Sequence, residues 1–106
     1  MATGHDFIAM YVHGSREVKD YSLNWSSLLA AEGDAESTSS WSNEADSTCC
    51  IGDGVNGAPA PTYSAGIATV WVVRGTVGDV YWLTNLLTTT QGRTFERTIR
   101  LAVIDR

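Results

Sequence analysis

Val80-Tyr81-Trp82-Leu83-Thr84-Asn85-Leu86-Leu87-Thr88-Thr89-Thr90, followed by Gln91-Gly92-Arg93 and then by Thr94-Phe95-Glu96-Arg97-Thr98-Ile99-Arg100-Leu101-Ala102-Val103-Ile104, is the stretch that decides the fold. Successive side chains of a strand point to opposite faces, so a period of two marks a sheet with one face in a core. In the second run Phe95, Arg97, Ile99, Leu101 and Val103 share one face, and Glu96, Thr98, Arg100 and Ala102 share the other. In the first run Tyr81, Leu83, Asn85 and Leu87 alternate with Trp82, Thr84, Leu86 and Thr88. Gln91-Gly92-Arg93 supplies a tight turn, with Gly92 free to take a left-handed conformation. The two runs form a long antiparallel hairpin.

Working backward, Ile67-Ala68-Thr69-Val70-Trp71-Val72-Val73 is rich in β-branched residues and reads as a central strand. From Gly52 to Ala60 the turn formers Gly, Asn, Asp and Pro mark a loop, either a plain surface connection or a partner-facing one. Ser37 to Ser42 reads as a strand with Trp41 as its buried anchor, and Ser26 to Glu32 as one helical turn stopped by Gly33 and Asp34. Earlier, Tyr21, Leu23 and Trp25 alternate with Asp20, Ser22 and Asn24, and read as a buried face against a wet one. Phe7 to Val12 is a first apolar run, ended by His13-Gly14-Ser15.

Six to seven short strands, turn signals every 8–12 residues and no amphipathic helix predict an all-β fold. The expected architecture is an immunoglobulin- or fibronectin-III-like β-sandwich of antiparallel strands, ending in the long hairpin. Residues 1–17 read as an N-terminal strand or arm, and 18–106 as the sandwich domain. Gly78-Asp79-Val80-Tyr81 adds a specific cue. A Tyr opening the penultimate strand after a glycine corner matches the tyrosine corner, whose hydroxyl bonds to backbone a few residues upstream. Tyr81, Trp71, Asn85 and Gly92 are therefore the candidate structural residues.

The 106 residues fit one domain, 43% hydrophobic and 18% charged, with four Trp and four Tyr. The formal charge of -5 argues against nucleic acid, whose phosphates demand a basic stripe. The charge is uneven. Residues 1–53 hold nine carboxylates against Arg16 and Lys19, whereas 54–106 hold three against five arginines. This reads either as two solvated faces or as head-to-tail docking of copies, acidic side to basic side. No apolar run approaches the ~20 residues of a membrane-spanning helix, and the N-terminus has neither the basic nor the apolar region of a signal peptide.

The cysteines, Cys49 and Cys50, are adjacent. Their Cα atoms sit about 3.8 Å apart, short of the usual disulfide span, so free thiols are expected. Two thiols without CxxC spacing make no zinc site. His13-Gly14-Ser15 near Asp20 lacks the oxyanion hole and oriented base of a triad. Asp53-Gly54-Val55-Asn56 lacks the full ligand set of a calcium loop, and Glu32, Asp34 and Glu36 read as a solvated acidic segment. No residue is assigned a catalytic, cofactor or metal role. Asp20, Trp25, Trp82 and Arg93 are the candidate interface residues, because Trp and Arg are the commonest interface anchors.

Asp20-Tyr21-Ser22-Leu23-Asn24-Trp25-Ser26-Ser27-Leu28-Leu29 resembles the opening motif of small structural proteins from the head–tail modules of tailed bacteriophages. Thr69-Val70-Trp71-Val72, Gly75-Thr76-Val77-Gly78, Tyr81-Trp82-Leu83-Thr84-Asn85 and Thr88-Thr89…Gly92-Arg93-Thr94…Arg97 are similar to the later motifs of that family. The resemblance covers about residues 18–106. It departs at Asn24, where the family has Asp, and in the longer Glu44–Ala65 segment. It implies an immunoglobulin-like virion component, assembled in the host bacterial cytoplasm, such as an adaptor joining fibres to neck or tail. Its partners would be other virion proteins and copies of itself. A capsid decoration protein and a carbohydrate- or cell-surface-binding module, the latter using Trp82 and Trp41 as stacking platforms, are the alternatives.

Overall fold

The computed structural model describes residues 9–43 and 50–105. The expected strand start at Phe7, together with His5 and Cys49, lies outside the described residues. Two sheets face one another. One is built from β1 (Ala9–Gly14), β7 (Thr94–Ile104), β6 (Val80–Thr89) and β3 (Glu36–Asn43), in that spatial order. The other has the order β2 (Val18–Asn24), β5 (Ile67–Val73), β4 (Thr62–Ser64). The one described helix, α1 (Ser26–Glu32), joins β2 to β3 and ends at Gly33, whose φ of 62° closes it with a left-handed cap.

The hairpin forms in the expected register, from Val80↔Ala102 to Thr88↔Thr94. Its inner face carries Tyr81, Leu83 and Leu87 from β6 and Ile99, Leu101 and Val103 from β7. Val70 and Val72 of β5 and Tyr21 and Leu23 of β2 meet them from the opposite sheet. Burying one such aliphatic side chain contributes roughly 1.5–3 kcal/mol, and the two-sheet geometry lets β2, β5, β6 and β7 each supply two or more buried apolar side chains. All pairs but one are antiparallel.

The exception is β1, which runs parallel to β7 from Ala9↔Ile99 to Gly14↔Ile104. The expectation of antiparallel strands throughout fails here because the next strand, β2, lies in the other sheet. The chain turns at once, with Glu17 N–H donating to Gly14 O at 2.9 Å and the Glu17 carboxylate accepting from Gly14 N–H at 2.6 Å. β1 therefore cannot pair with its sequence neighbour and runs along the hairpin edge. It also brings His13, fully buried, to the core. Its Nε2–H donates to Glu17 O at 2.9 Å, and its Nδ1 lies 2.8 Å from the Tyr21 hydroxyl.

Tyr81 is 3% exposed and occupies the corner position. Its hydroxyl oxygen lies so close to Gly75 that a Cβ there would be 2.9 Å away. Gly75 also has a φ of 152°, so the bare glycine is what admits the ring beneath the β5–β6 crossover. The free-thiol expectation fails for Cys50, which is disulfide-bonded. The sequence contains one other cysteine, Cys49. Cys50 has a φ of 77°, in the left-handed region that non-glycine residues seldom adopt.

Candidate protein-interaction site

The eight singled-out residues divide between the interior, the hairpin tip and the two outer sheet faces. Trp25, expected at an interface, is 0% exposed. It follows β2 directly, at the N-cap of α1, on the side that also carries Tyr21 and Leu23. Its Nε1–H donates to the Asn85 Oδ1 at 2.8 Å. Asn85, also fully buried, sits mid-β6 and donates through Nδ2 to Ser39 Oγ at 2.9 Å and to Ser40 O at 3.0 Å. Every bond in this chain crosses from one element to another, so one amide ties the end of β2 to β6 and β3. A buried amide is tolerated only when so satisfied. Arg97 lies over the Trp25 ring, 4.3 Å from its centroid. Trp25 is thus a core element and has no ring face to offer a partner.

Asn24, where the resembling family has Asp, accepts the Ser26 N–H at 2.9 Å and starts α1. An aspartate oxygen would do the same, so the departure leaves the local geometry intact.

Arg93 is engaged within the chain. Its guanidinium lies 2.8 Å from the Asp34 carboxylate and 3.6 Å from that of Glu32. Gln91 Nε2–H donates to Gly33 O at 2.9 Å, and Gln91 Oε1 accepts from Arg93 at 3.0 Å. The hairpin tip is thereby clamped onto the end of α1. Burial by itself would raise the Asp34 carboxyl; hydrogen bonds from Thr89, the Ala35 N–H, Arg93 and Thr90 outweigh it and hold the pKa at about 2. Gly92 takes a φ of 89° in this turn.

Trp82 and Asp20 remain on the surface, on opposite sides. On the four-stranded sheet, register places Met10 beside Arg100 and Arg100 beside Trp82, with Val12, Ala102 and Val80 in the next row. Met10 is 63% and Val12 46% exposed. The Arg100 guanidinium lies 5.8 Å from the Trp82 ring centroid. On the three-stranded sheet, Asp20 is the direct register partner of Trp71. Because Val70 and Val72 point inward, Trp71 points out, half-buried, with Val18 and Ile67 exposed on the same face. Trp71 therefore adds to a surface rather than to the core.

Trp41, in contrast, shares the inner side with its register partner Asn85 and packs against the core. Trp82 and Trp41 lie on opposite faces of one sheet and do not make a single stacking platform. The Asp53 carboxylate accepts the Val55 and Asn56 N–H groups at 2.8 and 2.9 Å, while Asn56 donates to Ile51 O. These backbone donors hold it below its usual range and use it as a loop brace. A cleft of about 390 Å³ opens between α1 and β4, with Leu29, Tyr63 and Gly66 among its walls. Burial, and then the charge of Glu36, push the Tyr63 phenol up. The Asp34 carboxylate on the cleft is held by the Arg93 clamp.

Among solved structures, titin domain M7 is similar at 10% identity and a TM-score of 0.62, covering 92% of this chain and 88% of that one. A 2,6-sialyltransferase of Vibrionaceae Photobacterium sp. JT-ISH-224 matches with a TM-score of 0.55 at 11% identity. That match covers 94% of this chain but 18% of the longer enzyme. Both likenesses concern the fold, which is immunoglobulin-like and all-β. No curated protein matches the sequence. The model of the Gp77 family, described as "Podophage GP4 fiber-tail adaptor protein gp77", fits residues 14–102. The match runs from the end of β1 almost to the end of β7 and takes in Trp25, Asn85, the Tyr81 corner and the Arg93 clamp. The chain belongs to the Gp77 family of podophage fiber-tail adaptors and is a structural protein of the phage virion.

Proposed function

We propose that this chain joins a fibre to the tail as one of many symmetric copies around the tail axis, acting through protein–protein contacts and without a reactive group. The observation that carries the reading is the family match over residues 14–102, nearly the whole sandwich. Rigidity supports it. The buried Trp25–Asn85 link, the Tyr81 corner and the Arg93 clamp fix the strands and the hairpin tip in one arrangement. A stiff body transmits orientation from tail to fibre, and contacts that are weak singly become strong when repeated around a ring. Trp82 and Asp20 are the residues that meet neighbours.

The test is the position of the protein in the particle. Antibody label on purified virions is expected at the tail, and particles from phage lacking the gene are expected to have tails without fibres. Label spread over the capsid shell would refute the reading in favour of a decoration protein. Glycan binding by the isolated domain, with fibres still attached to gene-deleted particles, would refute it in favour of a carbohydrate-binding module.

A further inference from the structure

Each outer sheet face carries one tryptophan directly opposite one charged residue in the strand register, and the charges have opposite signs. Trp82 pairs with Arg100 on the four-stranded sheet, and Trp71 pairs with Asp20 on the three-stranded sheet. Apolar side chains flank both pairs: Met10, Val12 and Val80 on the first, Val18 and Ile67 on the second. Outward positions of a sandwich are ordinarily polar, so an apolar patch around a single charge marks a contact surface. Among the described residues, neither Arg100 nor Asp20 has an oppositely charged partner. The other charged residue pointing outward from β7 is Glu96, four residues toward the hairpin tip and so about 13 Å from Arg100.

We infer that copies of this chain stack front to back, the Trp82–Arg100 face of one against the Trp71–Asp20 face of the next, with Arg100 meeting Asp20. The occupant of each face is a second copy because the two faces complement one another in charge and match in kind, while two like faces would bring Arg100 against Arg100. Such a contact is heterologous: the faces used differ, so each copy retains one free face. Repetition then closes a ring if the rotation permits and otherwise extends a filament. The inference rests on the reading of the protein as a ring of adaptors, and names the surfaces that make the ring.

The experiment is sedimentation velocity on the full chain from 10 µM to 1 mM, with circular dichroism to show that each variant is folded. Wild type is expected to associate beyond a dimer as concentration rises. Arg100→Glu alone and Asp20→Arg alone are each expected to weaken association at least tenfold. An equimolar mixture of the two single variants, and the double variant, are expected to recover it, since each restores an opposite-charge contact between the two faces. A wild-type chain that stays monomeric to 1 mM overturns the inference. So does association weakened by Arg100→Glu but indifferent to Asp20→Arg, which would indicate contact between like faces. Capture of a fibre protein by a monomeric wild-type chain, lost in Arg100→Glu, would assign that face to the fibre and equally overturn it. Failure here leaves the tail label unchanged, whereas failure of the adaptor reading moves the label and leaves the sedimentation result standing.

Discussion

Replacing Asn85 with Ala is expected to destabilise the fold more than any exposed substitution, and the structure sets the size. The change strands the buried Trp25 Nε1–H and the Ser40 carbonyl, and empties part of a fully buried site. An unsatisfied buried polar group costs about 1–3 kcal/mol, and the small cavity adds to it, giving about 3–5 kcal/mol in all. Against a total of roughly 5–15 kcal/mol for a domain of this kind, that is a large share. Trp25→Phe removes the donor and leaves the Asn85 Oδ1 unpaired, for about 2–4 kcal/mol. The decisive quantity is the coupling between the two. Each single variant loses the same hydrogen bond, so the double variant should be less destabilised than the sum by about 1–2 kcal/mol. Urea unfolding at constant m-value measures all three. Strict additivity, or a cost below about 1 kcal/mol for Asn85→Ala, would refute the view that this bond ties the two sheets together.

Gly75→Ala is expected to cost about 2–3 kcal/mol, since the new methyl meets the Tyr81 hydroxyl at 2.9 Å and Val103 at 3.0 Å on a backbone of positive φ; a melting temperature within a degree of wild type would show that the corner yields. The Arg93 clamp should respond to acid. The folded-state pKa of Asp34 is depressed to about 2, so its contribution is present above the unfolded value near 4 and is lost as pH falls from about 4 toward 2. Hydrogen exchange at Gly33 and Thr90–Arg93 should rise across that window, and in Arg93→Ala at neutral pH; exchange that is flat in both would show that the tip needs no clamp.

The hairpin was legible because alternation, a Gly-containing turn and two apolar runs are local signals, and local signals suffice where a strand pairs with its sequence neighbour. The place of Tyr81 near the start of the penultimate strand was legible for the same reason. Alternation likewise established that Trp82 faces away from Tyr81, and that Trp25 shares a side with Tyr21 and Leu23. For Trp25 the alternation pointed inside while the residue type pointed to an interface, and for Trp71 it left the side open. Period two states that neighbouring residues point oppositely; which side meets the other sheet depends on how the sheets pack, and that involves residues 60 apart, as in the Trp25–Asn85 bond. The same limit applies to Arg93, whose carboxylate partners lie 59 and 61 positions earlier, and to β1, whose parallel run follows from where the chain crosses between sheets. The sequence by itself thus determined strands, turns and fold class, because these rest on contacts close along the chain. The tertiary structure alone decided which aromatic and charged residues are interior ties and which, as Trp82–Arg100 and Trp71–Asp20, stand on the two outer faces, because burial belongs to the packed whole.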